Sequence, residues 1–375
     1  MRSLIFLIIF LQIFYGVAFC EEDEYENKSS TTIALKSQEI DLNDHIKNCD
    51  NFLKYFQIVD TLYFDFENLI LGSISRFIFL NDPTKVVIHD GTVDSLVWID
   101  LKSGEHKELT VDNIFPGHKL NIIAIRKDPR NGFWVASYPY YFFKFDENGK
   151  ALQKYSIQES FVSDRFSFDS KSNILFSNLN REKSNYSITC FSLIKNEFQQ
   201  IFDLNFPSNL LIHLGRWENF GGILVDEYDR IYVANALENK IYKYQMDGRL
   251  LDVIDIPDDD YQMMDKDLKY DKQNIMVFLK KMNNVGHFHN MYFLNNELII
   301  AEYGAKKRLR VKMIGFKNGK ILTKEKIFLP FTMIYAGNNH IYLICPEQKI
   351  DSEGNVSNPF IFKYEFRGYK GKSTK

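Results

Sequence analysis

The chain has 375 residues, 46 Lys and Arg against 49 Asp and Glu, and a net charge of −3. That balance gives no basic footprint for a nucleic-acid backbone. The four cysteines are Cys20, Cys49, Cys190 and Cys345, and removal or lipidation of Cys20 would leave three, scattered through different parts of the chain, so no disulfide framework is implied. Aromatic residues make up 15% of the chain, with 33 Phe and 21 Tyr, a composition that favours β-rich cores.

Residues 1–20, MRSLIFLIIFLQIFYGVAFC, open on one Arg and run apolar to Phe14. They are predicted to be a signal peptide, too short in its apolar core to span a bilayer comfortably. Two exits are open: cleavage after the small residues Gly16-Val17-Ala18, or processing at Cys20 with lipid attachment there. The mature chain is expected to start between Phe19 and Glu21. Residues 21–31 are acidic and polar and read as a tether. Asn27, Asn185 and Asn355 begin glycosylation sequons. Residues 32–40 and part of 53–64 read as two strands without a blade of their own.

From Ser73 the chain repeats. Second strands read Val86-Val-Ile-His-Asp90, Phe133-Trp-Val-Ala-Ser137, Ile174-Leu-Phe-Ser-Asn178, Ile231-Tyr-Val-Ala-Asn235, Leu298-Ile-Ile-Ala-Glu302 and Ile341-Tyr-Leu-Ile-Cys345. A turn residue follows each third strand, at Gly104, Gly149, Asn196, Gly248, Gly319 and Gly368, at intervals of 45, 47, 52, 71 and 49. One four-stranded meander cannot bury its own apolar faces, and periods near 40–50 residues mark propeller blades. The expected fold is an all-β, six-bladed β-propeller of four-stranded blades over residues 32–369. An insertion is expected at about 257–285, and a basic tail at 370–375. The ring is expected to close by lending a strand from 32–64 to the last blade, which removes a sheet edge. The insertion carries Asp258, Asp259 and Asp260 without EF-hand spacing, a weak metal signal.

Topology assigns the polar residues to faces. Turns after the first strands, such as Asp128-Pro-Arg-Asn-Gly132 and Asp226-Glu-Tyr-Asp229, share one face. Loops entering first strands and positions ending second strands share the other. That strand-end face is expected to hold His118, Asp164, Arg165, Arg216, Trp217, Glu218, His287, His289 and Glu302, together with Asp90, Ser137, Asn178 and Asn235. His118, Arg165, Arg216, Trp217, Glu218, His287, His289 and Glu302 are the candidate ligand-binding set, because converging charges must pair with each other or with a ligand. Asp90, Ser137, Asn178 and Asn235 also fit plain capping of the adjoining loop. His287 and His289 have the spacing of one strand face, but no third metal ligand can be assigned. No catalytic residue, metal or cofactor is assigned, and Cys190 reads as a core or near-core thiol.

Two stretches carry a resemblance. Residues 222–251, GILVDEYDRIYVANALENKIYKYQMDGRLL, resemble an NHL repeat. The whole of 32–369 is similar to the six-bladed propeller lipoproteins of bacteria, and Val17-Ala18-Phe19-Cys20 resembles their signal, with Phe19 where a small residue is usual. Phe115-Pro-Gly-His-Lys119 stands where such proteins often carry Gly-x-Gly-Pro-x-Glu. The resemblance implies an extracytoplasmic binding protein, secreted or lipid-anchored, of unassigned ligand; the expected function is a monomeric module that holds a peptide, glycan or protein on the charged face. An alternative is a metal-dependent hydrolase or lyase like the six-bladed lactonases, for which Glu218, Asn235 and Asp90 are the nearest ligand counterparts by type. A further alternative is an insect-type amine-binding propeller.

Overall fold

The computed structural model describes residues 51–138, 141–156, 161–180, 185–204, 220–235, 240–255, 286–295, 298–305, 312–317, 320–321, 327–345 and 357–368. All of these belong to one compact unit, Glu39–Lys375. The expected signal peptide, tether, strand at 32–40, insertion and basic tail lie outside the described residues, as do Cys20, Arg216, Trp217 and Glu218.

The first sheet runs β2 (Ile74–Phe79), β3 (Lys85–Asp90), β4 (Ser95–Asp100) and β5 (His106–Glu108). The second runs β6 (Ile122–Lys127), β7 (Phe133–Ser137), β8 (Tyr141–Phe145) and β9 (Ala151–Ser156). The third is β10 (Phe161–Phe168), β11 (Ile174–Asn180), β12 (Asn185–Ser192) and β13 (Glu197–Leu204). The fourth is β14 (Phe220–Val225), β15 (Ile231–Asn235), β16 (Lys240–Tyr244) and β17 (Leu250–Asp255). A five-stranded sheet follows: β18 (Gly286–Asn295), β19 (Leu298–Ala305), β20 (Lys312–Lys317), β21 (Lys320–Ile321) and β22 (Ile327–Phe328). The last sheet joins β23 (Thr332–Gly337), β24 (His340–Cys345) and β25 (Phe360–Phe366) to β1 (Phe56–Leu62), which follows a single helical turn, α1 (Phe52–Tyr55).

The protein is thus an all-β propeller with four-stranded blades, and five of its sheets have that strand count. The sheet of β18–β22 departs from the uniform pattern expected. Its cause is the short β21, which pairs only Phe316 and Lys317 of β20; β22 covers the other end, at Lys312 and Met313. An uncovered strand edge would otherwise offer unpaired backbone groups there.

The first strands pack in sequence, β2 on β6, β6 on β10, β10 on β14, β14 on β18, β18 on β23 and β23 on β2. The core lies between neighbouring sheets. Ile78, Val87, Leu96 and Trp98 of the first meet Ile125, Phe133, Val135, Phe143 and Phe145 of the second. Trp134 and Phe142 of the second meet Phe166, Ile174, Phe176 and Phe191 of the third. Middle strands are therefore buried on both sides, which is why β3 and β7 read as continuous apolar runs rather than alternating ones. Closure uses β1, antiparallel to β25 from Phe56↔Phe366 to Leu62↔Ile361. Asn358 pins this join: its side chain donates to the carbonyls of Phe64 (2.7 Å) and Leu69 (2.9 Å) and accepts from the Leu71 N–H (2.7 Å).

The hairpin residues Gly104, Gly149, Asn196, Gly248 and Gly368 all have positive φ. At Gly132 the need for glycine is steric as well: a Cβ would sit 2.1 Å from the Phe145 carbonyl oxygen.

Candidate functional site: the strand-end face

The two faces differ in what their polar groups do. On the turn face, Asp128 directly follows the first strand of the second blade and is 3% exposed. Its carboxylate accepts from the Arg130 N–H (2.7 Å), from Trp134 Nε1 (2.6 Å) and from the Lys144 ammonium. Burial pushes this carboxyl up, but the hydrogen bonds from Lys144, the Arg130 N–H and Trp134 outweigh it and hold it below the usual carboxylate range. Lys144 lies directly across from Trp134 and stacks on its ring. The fourth blade repeats the device. Asp226 accepts from the Arg230 N–H (2.9 Å) and the Tyr232 hydroxyl (3.3 Å), and Lys243 lies across from Tyr232 and over its ring. Burial and the Asp226 charge push the Tyr232 phenol up to about 12.

Turn-face groups also join blade to blade. Asn81 donates to Glu147 (2.8 Å), Arg130 to the Lys171 carbonyl (2.7 Å), and the Ser170 N–H and hydroxyl to Asp229 (2.7 Å each). The Asn339 N–H donates to the Leu294 carbonyl (2.6 Å). These carboxylates are occupied by the fold and leave little for a ligand.

On the strand-end face, two of the expected caps are observed. Asp90 is 2% exposed. It accepts the N–H groups of Gly72 (2.8 Å), Ser73 (3.1 Å) and Thr92 (2.9 Å). Ser137 accepts the N–H of Asn121 (3.0 Å), the counterpart of Ser73 one blade on. Both oxygens of Asp90 are thus engaged by backbone donors, which corrects its candidacy as a lactonase-type metal ligand. Among the described residues no cluster of three or more His, Cys, Asp or Glu could hold a metal ion.

Each first strand also bulges near this face. The register slips between Ile74 and Arg76, between Ile122 and Ala124, and between Phe220 and Gly222 at the same position in three blades. Shifts also occur in the third, fifth and last sheets. Bulges of this kind re-aim neighbouring side chains and recur beside binding sites.

The candidate ligand-binding residues fall as follows. Arg165 lies inside β10, in the irregular stretch between Phe161 and Phe166, rather than in an entering loop. His287 lies inside β18 opposite Gly304, and His289 occupies the bulge between Phe288 and Asn290. The regular backbone register is therefore interrupted between positions 287 and 289. Glu302 pairs with Asn290, three residues short of the end of β19. The correction has one cause: pairings such as Phe161↔Asn178 and Gly286↔Ala305 carry these hairpins beyond the expected rim. Register still brings His287, His289 and Glu302 to one end of one sheet.

His118 sits in the loop between β5 and β6, stacked on Phe115 at 4.6 Å and edge-on to Tyr141 at 5.4 Å. The Lys154 ammonium covers the Phe115 ring at 3.7 Å from its centroid. His118 therefore packs against the third and fourth strands of its blade. Burial first, and the Lys154 charge second, push its imidazole below the ordinary value. A base with a lowered folded-state pKa contributes stability that is complete above its unfolded value, near 6.5, and lost as pH falls below it. Loop 109–121 should thus lose amide-exchange protection, corrected for intrinsic rates, between pH 7.5 and pH 5, and His118→Phe should abolish that dependence. Equal protection of the wild-type loop at both values would contradict the assignment.

Sequence reading passed over His89. It lies on β3, is 7% exposed, and its Nε2 is 2.9 Å from Asp94 Oδ1, with Asp94 at φ 52°. A histidine directly following the apolar Val86-Val87-Ile88 run was the available signal. Cys190, by contrast, is a half-buried thiol pushed up to about 11 by burial and the Asp169 charge, opposite to what a nucleophile needs.

No family model and no curated protein matches the sequence. Solved structures do. A member of the DUF4221 family from Bacteroides vulgatus matches with a TM-score of 0.58 at 10% identity, over 84% of this chain and 99% of that one. A candidate exported protein of Bacteroides fragilis matches with a TM-score of 0.53 at 11% identity, over 84% and 96%. Virginiamycin B lyase of Staphylococcus aureus matches at 0.48 and 13% identity, over 80% and 82%, a level that carries no argument about chemistry. The two Bacteroides likenesses support the propeller fold and nothing finer.

Proposed function

We propose that the chain is an extracytoplasmic binding module, a six-bladed propeller with NHL-like repeats that recognises a peptide, glycan or protein on its strand-end face. The cycle of first-strand contacts supports counting the β18–β22 sheet as a blade of the ring. Export is supported by the apolar N-terminal segment together with the exported-type neighbour. A lipid on Cys20 would be the one membrane attachment, and no helix among the described residues is long and apolar enough to cross a membrane.

One observation carries the reading. The strand-end loops present Ile70 at 87% exposure, with Val93 at 57% and Tyr63 at 54%. Gly72 and Thr92 are in contact, so the Ile70 and Val93 loops adjoin. Asp65 and Glu67 lie exposed in the same loop as Ile70. Contiguous exposed apolar side chains rimmed by polar ones mark interaction surfaces, whereas single ones do not. His118, Arg165, Arg216, Trp217, Glu218, His287, His289 and Glu302 remain the proposed ligand-binding set.

The test is the double variant Arg165→Ala with Arg216→Ala, assayed on peptide and oligosaccharide arrays. Retention should be lost while the melting temperature moves by less than about 2 °C, the usual scale of surface substitutions. A large fall in melting temperature with retention unchanged would mean that these guanidinium groups serve the fold.

A further inference from the structure

We propose that the Phe115 and Tyr141 rings form a corner on the strand-end face that binds an organic cation, and that the Lys154 ammonium occupies it as a displaceable internal ligand. The assignment rests on the binding-module reading and names its ligand class, a quaternary ammonium, free or carried on a peptide side chain.

The corner is built by the fold and not by the lysine. The Phe115 and Tyr141 rings meet at 5.3 Å with 70° between their planes. His118 packs on both, stacked on the first and edge-on to the second. Hydrogen bonds hold the loop that carries Phe115. The Phe115 N–H donates to the Val111 carbonyl (2.7 Å), and the Gly117 N–H to the Asp112 carboxylate (3.1 Å). The Asn113 side chain donates to the Ala151 carbonyl of β9 (2.8 Å). None of these contacts involves the Lys154 side chain, so the corner persists when that side chain leaves.

A cation already marks the point where the rings converge. Lys154 Nζ stands 3.7 Å from the Phe115 centroid and 5.4 Å from that of Tyr141. Both distances lie within the roughly 6 Å over which a ring quadrupole attracts a cation. Lys154 reaches this point from β9, opposite Phe143 in the β8–β9 register and on the sheet face that Tyr141 shares. The lysine is exposed, and no carboxylate among the described residues pairs with it. The approach is open: Pro116 and Gly117 are exposed, and a Cβ at Gly117 would meet nothing within 4 Å. The chemistry then selects the ligand. A lysine ammonium keeps three N–H donors that favour water. A quaternary ammonium has none, and its methyl groups carry the charge onto the ring faces, the recognition that aromatic corners serve best.

The test titrates the whole chain with tetramethylammonium chloride, against sodium chloride at equal concentration, and follows the Lys154 ε-methylene protons by NMR. Over the Phe115 face the ring current shifts these protons upfield. Tetramethylammonium should return them to the ordinary lysine position, and sodium chloride should not. Lys154→Ala should bind the probe about threefold more tightly, and Phe115→Leu, which keeps an apolar side chain without the ring, about fivefold or more weakly. Because Phe115→Leu can loosen its loop, the gain in Lys154→Ala is the second reading, since misfolding does not tighten binding. An unmoved Lys154 signal, or no gain in Lys154→Ala, overturns the site. Trimethyllysine peptides that outcompete tetramethylammonium support the site with a peptide as its source, and peptides that do not support it with a free cation. Probe bound in the corner while peptide and oligosaccharide arrays retain nothing upholds the corner and overturns the peptide, glycan or protein reading. An array ligand retained equally by Phe115→Leu overturns the corner as its site and leaves the binding module standing.

Discussion

Asp128→Ala is expected to destabilise the protein by roughly 4 kcal/mol, within the range for removing one partner of a buried ion pair. The side chains of Asp128 and Lys144 are 5% and 14% exposed. Alanine leaves the Lys144 ammonium in place without its counter-charge and strips Trp134 Nε1 of its acceptor. It also frees the Arg130 and Asn131 N–H groups at the turn. The pH dependence follows from the lowered carboxyl. Its contribution is complete above the unfolded carboxylate value near 4 and fades as pH falls through the lower folded value. Urea denaturation at pH 7 and pH 3 checks both parts. The loss should be large at pH 7 and smaller at pH 3. A loss under about 1 kcal/mol at pH 7 would show that Asp128 is not the anchor of its blade.

Deleting residues through Leu62 should prevent the protein from folding to a monomer. The deletion removes β1 and α1, with Phe52 and Phe56 at 0% and 1% exposure. Each of these rings accounts for about 3–5 kcal/mol when truncated in a core. It also bares the edge of β25 and uncovers Tyr364, which packs edge-on against Phe52 at 4.9 Å. The two rings together account for about 6–10 kcal/mol, comparable to the whole 5–15 kcal/mol by which domains are ordinarily stable. Size-exclusion chromatography and circular dichroism should find aggregate in place of a folded monomer. A synthetic peptide of residues 51–64 should recover some monomer by strand addition. A truncated chain that melts within a few degrees of the full one would refute closure by β1.

Much of this architecture was legible because it repeats. Turn residues at Gly104, Gly149, Asn196 and Gly248 recur at blade spacing, and a left-handed hairpin position leaves a compositional mark. The closing strand was legible as a surplus element before the first blade. The bulges at Ser75, Ile123 and Gly221 were not, because an extra residue in one strand shows only in its pairing with the next. Nor was the reach of β10 and β18 beyond the rim: no Gly, Pro or Asn adjoins Arg165, and Gly286, the first residue of β18, stands directly before His287, where it reads equally as an entering loop. Asp90 and Asp128 look alike in sequence as acidic residues at strand ends. Their roles became distinct only through partners: backbone amides for the first, a buried ammonium and an indole for the second. His89 went unnoticed because its partner Asp94 lies in the following turn, where aspartate is commonplace.

Turn-face groups join the blades, and the strand-end face is the one proposed to meet a ligand. Hydrogen–deuterium exchange of the mature protein, with and without a saturating array-identified ligand, tests that division most directly. The account predicts new protection confined to the strand-end segments 64–73, 91–94 and 109–121, with turns 128–132, 169–173 and 226–230 unchanged. Protection appearing at those turns, with the strand-end loops unaffected, would contradict it.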